Sequence, residues 1–431
     1  MSDAVTTPVQ KHHRAPYFAA QLRDFAEFSQ ATKCLTTAFA DDGRTRQTPT
    51  FVNEFWTARQ RQASSLHEIS YRACFKPQLP RFFIERLTQP GDIVYDPFMG
   101  RGTTPLEAAL LGRIPWGNDL NPLSFALTQP RLRPPTLADL TARLQEINLT
   151  DHDEFPEDLL VFYHPDTLRE ICALKKHFRN SLPPAPAGQS HATTAATATD
   201  AWLRMVALNR LTGHSAGFFS VYTLPPNQAV SIASQRKINT KRNQTPPRRE
   251  VVKLMLKKSR QLLGDVTDEV RQTLQGVAGA ARFTNCPADA TSVLPDESVA
   301  LIVTSPPFLN VVQYAQDNWL RCWFLGLEAD SITLTTPRKL GDWAAVMTAV
   351  MRELFRLLKP GGFLAFEVGE IHGGKTKLEE TVLPCGVAVG LVPVLVLIND
   401  QAFTKTANCW GVNNMSQGTN TNRIVLFQKP G

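Results

Sequence analysis

Two short runs of this chain combine residue types that could do chemistry. The first is Thr304-Ser305-Pro306-Pro307-Phe308, which directly follows the apolar Ala300-Leu301-Ile302-Val303. Proline has no N–H to give a sheet and fixes its own φ, so Pro306-Pro307 must end a buried strand and stiffen the loop beyond it. The carbonyl of Ser305 or Pro306 can then point into a cleft, with Phe308 as a flat face beside it. Such a loop can hold a planar ring and accept hydrogen bonds from its exocyclic amine. Taken alone, the five residues read equally well as a Pro-terminated strand and a core Phe.

The second run is Tyr95-Asp96-Pro97-Phe98-Met99-Gly100-Arg101-Gly102-Thr103-Thr104, placed where a first strand meets a first helix. Glycines there let the backbone approach a ligand closely, and ligands of open α/β sheets bind beyond the carboxyl ends of the strands. A phosphate loop would need GxGxxG or GxxxxGK[ST]; here only Gly100-x-Gly102 is present, with no Lys. Asp96 would repel a phosphate and suits a cationic ligand, so the loop favours a nucleoside with a positively charged tail. Asp119 follows Asp96 by 23 residues, inside Gly117-Asn118-Asp119-Leu120-Asn121-Pro122, and an acid about 20 residues on commonly bonds ribose hydroxyls. Asp289, in Pro287-Ala288-Asp289-Ala290, could hold an adenine amino group, although an isolated loop Asp is more often a cap.

These motifs resemble those of the S-adenosylmethionine-dependent DNA amino-methyltransferases. Asp96 to Thr103 is similar to the family's DPFxGxGT motif, and Thr304 to Phe308 to its catalytic (S/T/D/N)-P-P-(Y/F/W) loop. Phe75-Lys76-Pro77-Gln78-Leu79-Pro80 resembles the helix-leading motif at the methionine end of the cofactor, and Leu358-Lys359-Pro360-Gly361-Gly362 the turn before the fifth strand. The resemblance covers roughly residues 60–130 and 280–430. It implies S-adenosylmethionine as cofactor, held by Lys76, Asp96, Phe98, Gly100, Gly102, Thr103, Asp119, Asn121 and Asp289. It implies Ser305, Pro306, Pro307 and Phe308 as the catalytic loop. Within the family an S-P-P loop is typical of cytosine-N4 enzymes and D-P-P of adenine-N6 enzymes, so Ser305 points to cytosine N4.

The implied mechanism is direct transfer to the amine of a flipped-out base. Hydrogen bonds to Ser305 and Pro306 would localise its lone pair, and Phe308 would stack on the ring, with Tyr314 and Trp319 as further walls or core residues. A C5-cytosine mechanism would need a Cys nucleophile; Pro384-Cys385 lies too late in the strand order to serve and reads as structural. The alternatives are adenine-N6 methylation of DNA, guanine-N2 or adenine-N6 methylation of tRNA, and a non-catalytic DNA-binding protein.

Charge supports a polyanionic partner. The chain has 431 residues and a net charge of +7. Ten Lys or Arg residues and one acid lie between residues 235 and 260. The run Arg236-Lys237-Ile238-Asn239-Thr240-Lys241-Arg242-Asn243 mixes phosphate-pairing cations with Asn, which can read base edges. Arg236, Lys237, Lys241 and Arg242 are the expected contacts to double-stranded DNA. A cognate restriction endonuclease is a further partner that the resemblance allows. No apolar run nears the roughly 20 residues that span a bilayer, and the first 14 residues lack a signal peptide's apolar core. A cytoplasmic protein with no membrane partner is therefore expected. The seven cysteines are scattered, with no CxxC pair, which argues against disulfides and zinc.

The elements that must position these runs follow from hydrophobic pattern. Asp92-Ile93-Val94-Tyr95 reads as a strand, 103–111 as a helix and 113–119 as a second strand, the opening of an α/β sheet. Further strands are expected at 281–284, 299–304, 363–368, 391–398 and 423–428, with a helix at 343–358; residues 50–90 read as mostly helical. The resemblance implies a class I (Rossmann-like) methyltransferase fold, a mostly parallel seven-stranded sheet, here with a largely helical insertion. The expected division is a tail and lead-in at 1–49, catalytic parts at 50–126 and 281–431, and a target-recognition insertion at 127–280 that carries an Ala/Thr/Pro-rich stretch at 181–200.

Overall fold

The computed structural model describes residues 14–28, 30–57, 63–71, 74–182, 195–224, 229–307, 314–328, 337, 339–371, 376–400 and 421–431. The strands are β1 (Lys33–Asp41), β2 (Arg44–Asn53), β3 (Ile93–Asp96), β4 (Ile114–Asn118), β5 (Arg282–Thr284), β6 (Val299–Thr304), β7 (Leu358–Val368), β8 (Glu370–Ile371), β9 (Thr376–Lys377), β10 (Val392–Asp400) and β11 (Thr421–Gln428). The helices are α1 (Arg14–Arg23), α2 (Gln78–Leu87), α3 (Thr103–Leu110), α4 (Leu123–Thr128), α5 (Leu137–Glu146), α6 (Pro165–Ser181), α7 (Ala195–Arg210), α8 (Ile232–Arg242), α9 (Val251–Leu262), α10 (Asp268–Ala278), α11 (Tyr314–Leu325), α12 (Leu340–Leu357) and α13 (Leu378–Val387).

β6 shows why the sheet is central. All six of its residues are buried, the pattern of a strand covered on both faces. Because side chains alternate, Leu301 and Val303 face one layer and Ile302 the other. Leu301 and Val303 pack with Val94, Phe363, Leu395 and Leu426 under α1 and α2. Ile302 packs with Tyr95, Leu364, Phe366 and Val425 under α12 and α13. α12 covers that layer because Trp343, Met347, Val350, Met351, Leu354 and Leu357 fall on one face.

The sheet has nine strands in the order β1-β2-β10-β11-β7-β6-β3-β4-β5. From β2 to β5 all pairings are parallel except those of β11, which is antiparallel to β10 and to β7. Seven strands, β10 to β5, form the expected methyltransferase sheet. The hairpin β1–β2 enlarges it, with β2 parallel to β10.

That hairpin corrects two expectations. Residues 33–53 are sheet where a lead-in is expected, and among the described residues the stretch 50–90 holds one α-helix, α2, with β2 at its start. The missed cue was Asp42-Gly43: both have positive φ, 46° and 72°, the geometry of a two-residue hairpin turn. β7 also begins earlier than expected, at Leu358.

The insertion is helical, α5 to α10. It shares one apolar core with the flanking catalytic segments: Leu106 and Leu123 pack in the same cluster as Leu168, Trp202, Met255 and Leu320. It is thus anchored on α3, α4 and α11. The Ala/Thr/Pro-rich stretch falls outside the described residues over 183–194. No described helix is long and apolar enough to cross a membrane.

Candidate active site

The strand order reverses between β3 and β6, the switch point where a crevice opens at the carboxyl ends of an open α/β sheet. β3 ends at Asp96 and β6 at Thr304. The two meet: Thr304 Oγ1 donates to Asp96 Oδ1 at 2.6 Å, and the Phe98 N–H donates to the same oxygen at 3.0 Å. Thr104 Oγ1 donates to the Val303 carbonyl at 3.0 Å, a second tie between the two runs. Asp96 is buried, and burial is the main cause that pushes its carboxyl up to about 7, against the hydrogen bonds that favour the anion. A nearby cation would restore the charge, so the site suits a positively charged ligand.

The loop after Asp96 is shaped by two glycines in the left-handed region. Gly102 caps α3 at φ +74°, and a Cβ there would lie 2.2 Å from Thr128 Oγ1. Gly100 has φ +50°, lies against the Tyr71 ring, and donates its N–H to Asp119 Oδ2 at 2.8 Å. Asp119 Oδ1 accepts from the Asn121 N–H at 2.8 Å. Desolvation raises the Asp119 carboxyl above the usual range. The loop from Asp96 to Gly102 and the end of β4 are therefore one hydrogen-bonded unit.

The other predicted residues divide. The Asn121 carbonyl oxygen of the side chain accepts from the Leu123 N–H at 3.0 Å, which makes it a helix-start residue of α4. Thr103 is buried and accepts from Arg101 Nε at 3.3 Å. Phe98 is half-buried, Lys76 is exposed just ahead of α2, and Asp289 is exposed on a turn closed by Ala290 N–H to the Pro287 carbonyl at 3.0 Å. Phe308 and the side chain of Tyr314 lie outside the described residues. Trp319 donates its indole N–H to the Val230 carbonyl at 3.2 Å, so it anchors the insertion to α11. Cys385 is buried on α13, where its thiol bonds the Thr381 carbonyl at 3.2 Å, in keeping with a structural role.

At the head of the Pro-Pro turn, the Ser305 hydroxyl is close enough to the carboxylate of Glu367, near the end of β7, to favour its ionised form. Glu367 is 7% exposed, burial raises its carboxyl, and Asn422 Nδ2 donates to its Oε1 at 3.0 Å. The indole N–H of buried Trp343 donates to the Pro307 carbonyl at 3.1 Å. Sequence reasoning missed Glu367 and Trp343, since neither belongs to a local motif. It also missed Asn118, whose amide joins the strand ends: Nδ2 donates to the Pro97 and Cys286 carbonyls at 3.2 and 2.9 Å, and Oδ1 accepts from Thr284 Oγ1 at 2.7 Å.

Arg101 and Arg131 hold the Asp96–Gly102 loop from behind. Arg101 Nη1 donates to the His67 and Ile69 carbonyls at 3.2 and 2.8 Å, and Arg131 bonds the Arg101 carbonyl and, at 3.2 Å, that of Leu66. The four cations predicted to meet DNA, Arg236, Lys237, Lys241 and Arg242, all lie on α8, and the ends of Arg236 and Arg242 are placed by neighbours. Arg242 lies 3.8 Å over the Tyr222 ring and Arg236 pairs with Asp158 at 3.1 Å. Asn239 is committed inward, with Nδ2 on the Val161 carbonyl at 2.7 Å and Oδ1 on Gln235, so it does not face a base.

Residues 3–127, which carry the Asp96 loop, match a known family model. It is the N6/N4-type DNA methylase model. Among curated proteins, the chain is 33% identical over 89 residues to the type II methyltransferase M.MjaII of Methanocaldococcus jannaschii, covering 21% of this chain and 17% of that one. It is 26% identical over 176 residues to the type II methyltransferase M.SfiI of Streptomyces fimbriatus, covering 38% of each. The match thus spans well under half the length of these relatives. Among solved structures, the rRNA methyltransferase aviRa of Streptomyces viridochromogenes is 12% identical, covers 85% of this chain and 90% of its own, and has a TM-score of 0.33. At that score the likeness says nothing about substrate.

Proposed function

We propose that this chain is a DNA amino-methyltransferase that uses S-adenosylmethionine and acts on the exocyclic N4 of a flipped-out cytosine in double-stranded DNA. The observation that carries the reading is the Asp96–Thr304 hydrogen bond, which seats the cofactor-type loop and the Ser-Pro-Pro loop against each other at one crevice.

The residues fit the cofactor. Gly102 lets the loop turn in the left-handed region while packed directly on Thr128, and buried Asp96 is a carboxyl that gains from a cation. Asp96 would face the charged tail, Asp119 the ribose hydroxyls and Asp289 the adenine amine. When bound, the cofactor supplies an electrophilic methyl on a sulfonium.

The chain's own residues supply orientation and a path for one proton. The Ser305 hydroxyl, which favours the Glu367 anion, would donate to that carboxylate and leave its lone pairs to accept an N–H from the base. The Pro306 carbonyl is the second acceptor, since that of Pro307 is taken by Trp343. Two such bonds localise the amine's lone pair towards the methyl. As the amine takes the methyl that the sulfonium would supply, it would shed a proton to Ser305 Oγ while the Ser305 proton passes to Glu367. A buried carboxylate of raised basicity is matched to that task. Ser305 at the head of the loop favours cytosine over adenine.

The basic helix α8 is the proposed DNA contact. It is joined to α11, the helix that follows the catalytic loop, by Trp319 to Val230 and by the Ala229 N–H to the Asp317 carbonyl at 3.1 Å. A type II restriction-modification setting, with a cognate endonuclease, is part of this proposal. Methylome sequencing of DNA from a host that expresses the chain tests it: N4-methylcytosine in a fixed motif is expected. N6-methyladenine alone overturns the base assignment, and no new modification overturns the activity.

A further inference from the structure

On one side the sheet ends at β1, the outer strand of the β1–β2 hairpin. β1 is nine residues long, follows β2 from Lys33 to Asp41 without a register shift, and holds no proline. Open edges are ordinarily blunted by brevity, proline, a bulge or charge along the strand. β1 has none of these, and its two charged residues stand at its ends. At the other side of the sheet β5 has only three residues.

The hairpin turn fixes which backbone groups the edge presents. Residues that flank a two-residue turn bond each other, so Asp41 aims its N–H and C=O at Arg44. The bonding direction alternates along an antiparallel strand. Phe39, Thr37, Leu35 and Lys33 therefore also face β2 with their backbone. Cys34, Thr36, Ala38 and Ala40 aim theirs outward, and all four are exposed. Among the described residues no strand pairs with that side.

The sequence of β1 is complementary to itself. Paired antiparallel with a second copy about Thr37, it sets Lys33 against the partner's Asp41, Cys34 against the partner's Ala40, Leu35 against the partner's Phe39 and Thr36 against the partner's Ala38. In this register every outward backbone group meets another outward group; a slip of one residue would set them against groups already bonded to β2. Opposite charges meet at both ends, Leu meets Phe, and two Thr meet on the axis, all favourable cross-strand pairs. Asp41 Oδ2 holds Arg46 Nε at 2.7 Å, and a carboxylate has lone pairs for a second cation. Phe39 is buried with Leu378 and Val382 of α13, whereas Leu35, on the same face of β1, is 57% exposed. Pairing brings Leu35 beside the partner's Phe39 and takes it out of water.

We propose that this chain forms a two-fold dimer in which two β1 strands pair antiparallel and join the two sheets into one. A contact of one edge with itself closes at two copies, whereas β1 against β5 would run on as a filament. Four strands lie between β1 and β6, so the crevice of each copy stays open.

The test is analytical ultracentrifugation of the full chain over a concentration series, where a two-chain species is expected. Thr36→Pro removes an outward N–H and leaves every bond to β2, so it should give one-chain particles with the circular dichroism of wild type. Lys33→Glu sets two acids together at each end and should weaken the dimer about tenfold. Thr37→Cys faces its own copy across the axis and should cross-link under mild oxidation, which wild type, with Cys34 exposed, should not do. If Thr36→Pro fails to fold, Lys33→Glu and Thr37→Cys decide. A one-chain wild type at every concentration overturns the proposal; if Thr36→Pro then lowers stability, the edge belongs to another segment of the same chain. A two-chain species that Thr36→Pro and Lys33→Glu leave intact also overturns it, and puts the contact elsewhere.

Discussion

Thr304 Oγ1 donates to Asp96 Oδ1 at 2.6 Å, across 208 residues of sequence. The bond joins the last residue of β6 to the last residue of β3, the two strands that flank the switch point. It makes the ionisation of Asp96 a property shared by both loops.

The first prediction concerns that ionisation. The folded value of Asp96, about 7, stands above its ordinary 3.8. The folded state thus holds the proton longer than the unfolded one, and Asp96 lowers stability as pH rises from about 4 towards 7. A cation at the site needs the ionised form. Binding of S-adenosylmethionine, followed by calorimetry, should strengthen up to about tenfold per pH unit below 7 and level off above it. Asp96→Asn should melt higher than wild type at pH 8 and bind the cofactor poorly. Thr304→Val, which removes a bond that favours the anion, should move the midpoint upwards. A flat profile from pH 5.5 to 8.5 would contradict the cationic-ligand role.

The second prediction separates backbone strain from crowding. Gly102 and Gly361 have nearly the same φ, +74° and +76°, but only Gly102 has a neighbour where a Cβ would go. Gly361→Ala should cost about 1–2 kcal/mol of strain. Gly102→Ala should cost that plus a further ~1–3 kcal/mol of overpacking against Thr128, and weaken cofactor binding. Denaturant titration of both variants checks the difference; equal losses would mean that Thr128 yields freely.

The third concerns the residues behind the Pro-Pro turn. Trp343→Phe keeps a buried ring and removes the donor to the Pro307 carbonyl. A stability loss of about 1 kcal/mol is expected, with a kcat that falls by roughly ten- to hundredfold while the KM for S-adenosylmethionine stays put, a positioning effect. Glu367→Gln should lower kcat and remove the acidic limb of the pH–rate profile, because Glu367 accepts a proton only when ionised. Unchanged kcat in both variants would leave the turn's geometry without catalytic weight.

The fourth concerns α8. Lys241→Ala with Arg242→Ala should weaken DNA binding and reduce the salt slope by about 0.9 for each phosphate that the variant no longer neutralises. Wild-type affinity in the double variant would remove α8 from the interface.

Much of the catalytic half was legible in the sequence because its signals are local. Asp96 to Thr103 and Thr304 to Phe308 each combine a buried strand end with residues that have a narrow conformational choice. The strands at 299–304 and 423–428 could be found because a continuous apolar run has few alternatives to a covered strand. The β1–β2 hairpin was missed because residues 33–37 are exposed or half-buried and carry no clean alternation; only Asp42-Gly43 marked the turn. Glu367, Trp343 and Asn118 were invisible for another reason. Their roles come from bonds to residues far away in sequence, and no spacing rule encodes those. Asn239 misled in the opposite sense: a polar residue in a basic run looks free to read a base, yet it spends its amide on the Val161 carbonyl.

The most direct test of the account is mass spectrometry of nucleosides from DNA incubated with the purified chain and methyl-labelled S-adenosylmethionine. The account predicts label in N4-methylcytosine, lost in Ser305→Ala and in Asp96→Asn. Label in N6-methyladenine would contradict the base assignment, and no label in any nucleoside would contradict methyl transfer itself.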